Sequence, residues 1–277
     1  MSSAPLKPLN FYDIAFKAPR KETNTAPNPW KARLALNFKA LPYVTTWVPL
    51  PDVEKVRRNL QVPACRKFGD GSDYYTLPVL EDPNTGDNLG DSFDIAVYLQ
   101  KTYPDSGLDL FPEQKLDYVF IPDQASPIPI TNVRGGEHDE YARFNMSVDE
   151  VFTAHVILMV NGMLLEPAGE QVFVKRAGVD SFDAFACVGE QREQVLVSFE
   201  SNLEGLANVF KKDESGPFIL GAKASYADLI VGGWLRMSNR SLPSAEWNAL
   251  RGWHGGVFGQ LHDALDKYAQ TDEGREV

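Results

Sequence analysis

Two cysteines in 277 residues, Cys65 and Cys187, are too few and too far apart for a disulfide framework or a C-x-x-C metal or redox site. They read as free thiols in a reducing compartment. Histidine is as sparse: His138, His155, His254 and His262 stand without cysteines or paired carboxylates at ligand spacing, so no metal is expected. No apolar run approaches the ~18 residues of a membrane span, and the opening MSSAPLKPLNFYD lacks the apolar core of a signal peptide. The chain is therefore expected to be soluble and cytoplasmic, with no membrane partner, and the N-x-S strings at Asn145 and Asn239 carry no glycosylation meaning. Positive charge is also short, 27 Lys and Arg against 38 Asp and Glu, a net of −11. With no basic block to offset this, a phosphate backbone is repelled and nucleic acid is not an expected partner.

What is present is the aromatic payload of a packed core, sixteen Phe, ten Tyr and five Trp, in a chain long enough for two domains. LNFYDIAF from Leu9 to Phe16 reads as a strand, followed by a polar loop. From Asn28, read as the N-cap with Pro29 at the first helical position, Trp30, Leu34, Phe38 and Leu41 recur at helical spacing. A strand at Tyr43–Val48 and a short helix at Asp52–Leu60 follow, giving a βαβ unit that favours parallel pairing. YTLPVLEDPNTGDNLGDS then reads as a hairpin with Pro78 at its head, and Ile95, Tyr98, Leu99 and Tyr103 mark a closing helix. The first ~104 residues thus read β-α-β-α-β-β-α.

Beyond Leu110 the strands stop. The Pro-, Gly- and charge-rich stretch Ile121–Asn145 reads as a long loop. Helices are expected at Val148–Leu165 and at Glu190–Lys212, the latter with a stripe of Val195, Phe199, Leu203, Leu206 and Phe210. Ser225 and Asp228 have capping-box spacing before another helix, and two short helices near Ser244–Arg251 and Gly256–Ala269 finish the chain. The expected division is 1–107 and 108–277.

Three features of the first domain belong together: the strand order, Leu77-Pro78-Val79-Leu80, and Asp91-Ser92 heading a helix that contains Tyr98-Leu99. In this combination the chain resembles the glutathione transferase superfamily. The string Gly216-Pro217-Phe218-Ile219-Leu220-Gly221 before Ser225 and Asp228 is similar to the helix-nucleating segment of the same family. The resemblance implies an α/β thioredoxin-like N-terminal domain with a mixed four-stranded sheet and a cis-Pro78, followed by an all-α helical-bundle domain. It also implies glutathione as co-substrate. Leu77 would meet the cysteinyl backbone of glutathione with its own N–H and C=O. The free N–H groups of the helix start and the Ser92 hydroxyl would take the γ-glutamyl carboxylate, and Asp91 the ammonium. Arg66 or Lys67 would meet the glycine carboxylate.

The run TNTAPNPWKARLALNFKALPY narrows the resemblance to the fungal-specific class A glutathione transferases, related to the bacterial lignin β-etherases. There the sequence departs from the pattern. The slot of the thiol-activating hydroxyl, just ahead of Pro-x-x-Trp, holds Ala26, which leaves Asn24, Thr25 and the amides opening the helix at Asn28 as candidates to lower the thiol pKa. No cysteine lies in the Thr23–Trp30 loop, so mixed-disulfide chemistry is not expected. The implied function is glutathione conjugation or aryl-ether cleavage, or binding of small aromatic and phenolic ligands. Their site would lie between the domains near Phe16 and Trp30. A homodimer is the family's usual state.

Overall fold

The chain enters through strand β1 (Leu9–Ala15), makes one helical turn, α1 (Arg20–Thr23), and runs along α2 (Pro27–Phe38) into β2 (Tyr43–Pro49). The computed structural model describes residues 5–123, 128–130 and 136–277. After α3 (Val53–Asn59), a two-strand ribbon, β3 (Arg66–Lys67) with β4 (Asp73–Tyr74), leads to the hairpin β5 (Val79–Glu81) and β6 (Asn88–Gly90). Helix α4 (Ser92–Thr102) closes this half. β1 pairs parallel with β2, Leu9 opposite Tyr43, and antiparallel with β5. This is the mixed thioredoxin-like sheet, in the order β6-β5-β1-β2, and the Leu77-Pro78 bond is cis.

A buried ion pair sits under the sheet. Arg33 and Asp13 are almost wholly inaccessible, 2.8 Å apart. The guanidinium also donates to Thr45 Oγ1 at 3.0 Å and lies 4.9 Å over the Phe11 ring, so both charges have partners where water is absent.

The second half is a helical bundle: α5 (Asp139–Ala154), α6 (Ile157–Val160), α7 (Pro167–Ala177), α8 (Gly189–Phe210), α9 (Tyr226–Ser241) and α10 (Ser244–Ala264). The capping box is made as its spacing suggests: Asp228 accepts from the Ser225 amide at 2.7 Å and from the Ile219 amide at 2.9 Å. The break expected between the two last helices is present inside α10, where Trp253–Gly256 leave helical geometry.

Four expectations need correcting. Helix α2 begins at Pro27 with Ala26 as N-cap, so Asn28 is inside the first turn; Pro27 suits the first position better than Pro29, and the residue before a proline prefers the extended geometry that Ala26 adopts. Helix α5 starts at Asp139, inside the stretch read as a loop: its acidic first turn suits the helix dipole, and Tyr141, Phe144, Val148, Val151 and Phe152 make its buried stripe. Residues 124–127 and 131–135 of that expected loop lie outside the described residues. Helix α7 was not anticipated, although Pro167 opens it and Gly178, at φ +66°, ends it.

The fourth concerns the sheet, which has a fifth strand. After the bundle the chain returns to the first domain, and β7 (Arg275–Glu276) adds parallel to β2. Asp272 accepts from the Thr45 amide at 2.8 Å, and the Trp47 indole donates to the Glu273 carbonyl at 2.8 Å. The edge of β2 is thereby covered rather than left as an open template.

Candidate functional site

The junction of the two halves is set by α2 against α9. Gly233 of α9 faces the start of α2 so closely that a Cβ there would lie 2.7 Å from the Pro27 carbonyl oxygen and 2.8 Å from Lys31 Cγ. Beside this contact is a cavity of about 140 Å³. Phe16, Ala26, Asn28, Arg66 and Leu77 form its wall on the sheet side; Asp149, Phe173, Trp234 and Met237 form it on the helical side.

The hairpin register carries the second group of residues alongside Leu77, although Asp91 and Ser92 do not themselves form part of the cavity wall. Val79 stands opposite Gly90, which brings Pro78 and Leu77 alongside Asp91 and Ser92. Neither the N–H nor the C=O of Leu77 makes a backbone–backbone hydrogen bond among the described residues, since the ladder of β5 begins only at Val79. Asp91 is the N-cap of α4, with φ +82°, and accepts from the Phe93 amide at 2.9 Å. Ser92 is the first helical residue and nearly buried; its carbonyl accepts from the Tyr226 hydroxyl at 2.9 Å, which ties α4 to the bundle.

The loop ahead of α2 divides its candidates. Asn24 and Thr25 are each 1% exposed, and neither forms part of the cavity wall. The Asn24 carbonyl accepts from the Trp30 indole at 2.7 Å and from Arg240 at 2.7 Å, while its side-chain Oδ1 and Nδ2, like the Thr25 hydroxyl, are buried with no hydrogen-bond partner among the described residues. Asn28 does reach the wall, and its Oδ1 is buried with no hydrogen-bond partner among the described residues. The first turn of α2 is poor in donors, since Pro27 and Pro29 have no N–H and the Trp30 amide is taken by Ala26; the Asn28 amide and side chain are what remains.

Trp30 is behind the cavity rather than in it: 1% exposed, it is packed against the guanidinium of Arg240 at 4.8 Å from its ring centre. Lys67 points to solvent and pairs with Asp73 at 3.0 Å. Arg66 is the base that faces the cavity, with Nη1 donating to the Pro129 carbonyl at 3.0 Å.

Sequence reasoning missed the polar floor. Lys31, one turn after Asn28, is fully buried; its ammonium donates to Asp149 and, at 2.9 Å, to Asn145 Oδ1. Asp149 also accepts from the Trp234 indole at 2.7 Å. Burial pulls the Lys31 pKa down, and the Asp149 charge opposes that pull. The ion pair thus ties α2 to α5, and the Trp234 indole ties α9 to the same carboxylate. The available signal was a lysine in the middle of an apolar helix stripe, with no acid at i+4 to occupy it. Among the described residues, no cluster of three His, Cys, Asp or Glu could hold a metal, and no helix is long and apolar enough to cross a membrane.

Comparison with known proteins gives the family of this fold. The glutathione S-transferase N-terminal domain model matches residues 25–102, and the glutathione S-transferase C-terminal domain model matches residues 142–268. A glutathione S-transferase of Ceriporiopsis subvermispora, solved in complex with glutathione, is 29% identical, with a TM-score of 0.79 over 96% of this chain and 99% of that one. A glutathione transferase from Phanerochaete chrysosporium is 27% identical, with a TM-score of 0.73 over 97% of this chain and 100% of that one. The glutathione S-transferase-like protein ustS of Aspergillus flavus is 25% identical over 93% of this chain and 92% of its own length. With both domain models matched in order around a cavity of this composition, the chain belongs to the glutathione S-transferase superfamily and is a glutathione transferase.

Proposed function

We propose that the protein is of the fungal class A type, that it binds small aromatic and phenolic compounds between its domains, and that it joins glutathione to those carrying a displaceable group. The observation that carries this reading is that Leu77, Asn28 and Arg66 line one cavity while the hairpin register sets the start of α4 beside Leu77. The pieces fit the tripeptide. Leu77 has an N–H and a C=O free of backbone partners to pair with the cysteinyl residue. Ser92 and the amides opening α4 suit the γ-glutamyl carboxylate, Asp91 suits the ammonium, and Arg66 suits the glycine carboxylate. The cysteinyl sulfur then lies toward α2, where Asn28 is the donor to a thiolate in place of the missing hydroxyl.

The chemistry is a displacement. The thiol proton leaves to solvent as Asn28 stabilises the sulfur anion; sulfur forms a bond to the electrophilic carbon, and halide or aryloxide departs with the bonding electron pair. The similarity to the fungal transferases of Ceriporiopsis and Phanerochaete supports the class assignment. The division at residues 107 and 108, a homodimeric state and a cytoplasmic location belong to the same proposal; light scattering on the purified chain tests the dimer. Steady-state assays with glutathione and halogenated nitroaromatics, isothiocyanates or β-aryl ethers test the reaction. Turnover of at least one class is expected, and its absence with all three contradicts the reading.

A further inference from the structure

The cavity beside Asn28, about 140 Å³, is smaller than the ~300 Å³ at which small-molecule sites usually begin. It does not end there. Tyr74, Thr153, Phe173 and Arg176 line both this cavity and a second chamber of about 610 Å³ bounded by α5, α7 and α8. The wall of the second chamber is largely apolar, with Phe173, Phe185, Val156 and Ile157 facing in, and one polar cluster stands at its far side: His155, Ser198 and Asn202.

That cluster has a defined polarity. His155 is 4% exposed, and its Nδ1 lies 2.7 Å from the Val151 carbonyl, which can only accept; Nδ1 is therefore protonated. Burial pulls the imidazole pKa down, so the ring is neutral and Nε2 is a lone pair. Ser198 Oγ at 3.1 Å and Asn202 Nδ2 at 3.3 Å both turn toward it. With its NH2 held by the imidazole and by Ser198, Asn202 directs its carbonyl oxygen elsewhere, and Oδ1 has no hydrogen-bond partner among the described residues. Glu150, at the same chamber, adds a carboxylate. Arg176, where the two chambers meet, donates to the Tyr75 carbonyl at 3.0 Å and lies 4.8 Å over the Tyr74 ring, so the acceptors around Asn202 stand apart from it in a largely apolar wall. Such a surface selects neutral aromatic donors.

We propose that the second substrate spans both chambers, with its electrophilic end in the small one beside Asn28 and an aromatic hydroxyl at its far end donating to Asn202 Oδ1. The inference rests on the transferase reading above and narrows it to elongated, hydroxylated aryl compounds. Two substitutions act on the far chamber alone. Asn202→Leu removes the acceptor, and Ala154→Trp, at an exposed position on the chamber wall, fills the space without touching the core.

The test measures binding of para-hydroxybiphenyl and para-methoxybiphenyl by calorimetry in the presence of glutathione, alongside turnover of chlorodinitrobenzene, a single ring. The wild type is expected to prefer the hydroxyl compound about five- to tenfold, the worth of one hydrogen bond. N202L should lose that preference and A154W should weaken both ligands, with glutathione affinity and chlorodinitrobenzene turnover within twofold of wild type in each. The inference is overturned if the wild type binds neither biphenyl, if N202L keeps the preference, or if A154W binds as the wild type does. Biphenyl binding that follows the expected pattern without chlorodinitrobenzene turnover would support the chamber and count against the reaction.

Discussion

Replacing Lys31 by Met removes one charge from a place where the other has nowhere to go. The Lys31 side chain is 0% exposed and that of Asp149 is 4% exposed. In K31M the Asp149 carboxylate keeps the Trp234 indole at 2.7 Å and the Asn145 amide at 3.3 Å, two neutral donors in place of an ammonium. Breaking a buried pair in this way costs about 3–5 kcal/mol, because an uncompensated charge is left without water. For a chain of this size that is a fall in Tm of roughly 10 °C. The double variant K31M/D149N removes the stranded charge while leaving an acceptor for Trp234, and should recover all but about 1–2 kcal/mol. Chemical denaturation of wild type, both single variants and the double variant completes the cycle. A loss below about 1 kcal/mol in K31M, or a double variant no more stable than K31M, would refute the argument that this pair is a buried, mutually dependent junction.

Asn28→Ala should lower kcat about tenfold or more with glutathione affinity nearly unchanged, and should raise the pH at which bound thiol ionises; thiolate absorbance against pH measures it. Asn24→Ala, by contrast, should leave kcat within about twofold of wild type, since its side chain is buried outside the cavity wall. Gly233→Val forces a side chain into the 2.7 Å approach to Pro27 and should either unfold the domain junction or displace α2; a melting curve and the glutathione Kd distinguish it from a neutral change. Asp228 carries a pH term. Burial raises its pKa to about 6 from 3.8, so the folded chain holds a proton that the unfolded chain releases, and the associated stability is present below pH 3.8 and lost as pH rises through about 6. Between those limits the stability of the wild type relative to D228N should fall by roughly 3 kcal/mol, and a flat difference would contradict the assignment.

The thioredoxin-like half was legible because its elements are local and strongly patterned: a β-rich run, a helical stripe beginning at Trp30, and a proline at the head of a hairpin. The juxtaposition of Leu77-Pro78 with Asp91-Ser92 was legible for a related reason, since they face each other through a short hairpin whose register the turn sets. What was not legible depends on distant contacts. The pairing of β7 with β2, more than two hundred residues earlier in the chain, has no local signature in two residues. Helix α5 was masked by a polar, charged first turn that composition alone assigns to a loop. Trp30 looks like a ligand-facing aromatic in sequence, yet it is taken by Arg240 and the Asn24 carbonyl from elsewhere in the chain. Lys31 and Asp149 are each unremarkable until the fold brings them together.

The glutathione pocket itself is tested most directly by calorimetric titration of glutathione into wild type and Ser92→Ala. Ser92 opens α4 beside Leu77, and its loss would remove the hydrogen bond we propose to the γ-glutamyl carboxylate while Asp91 continues to cap the helix. A charge-assisted bond of this kind is worth about 1.5–3 kcal/mol, so glutathione affinity should fall at least tenfold with Tm changed little. Equal affinity in the two proteins would contradict the placement of the γ-glutamyl group at the start of α4.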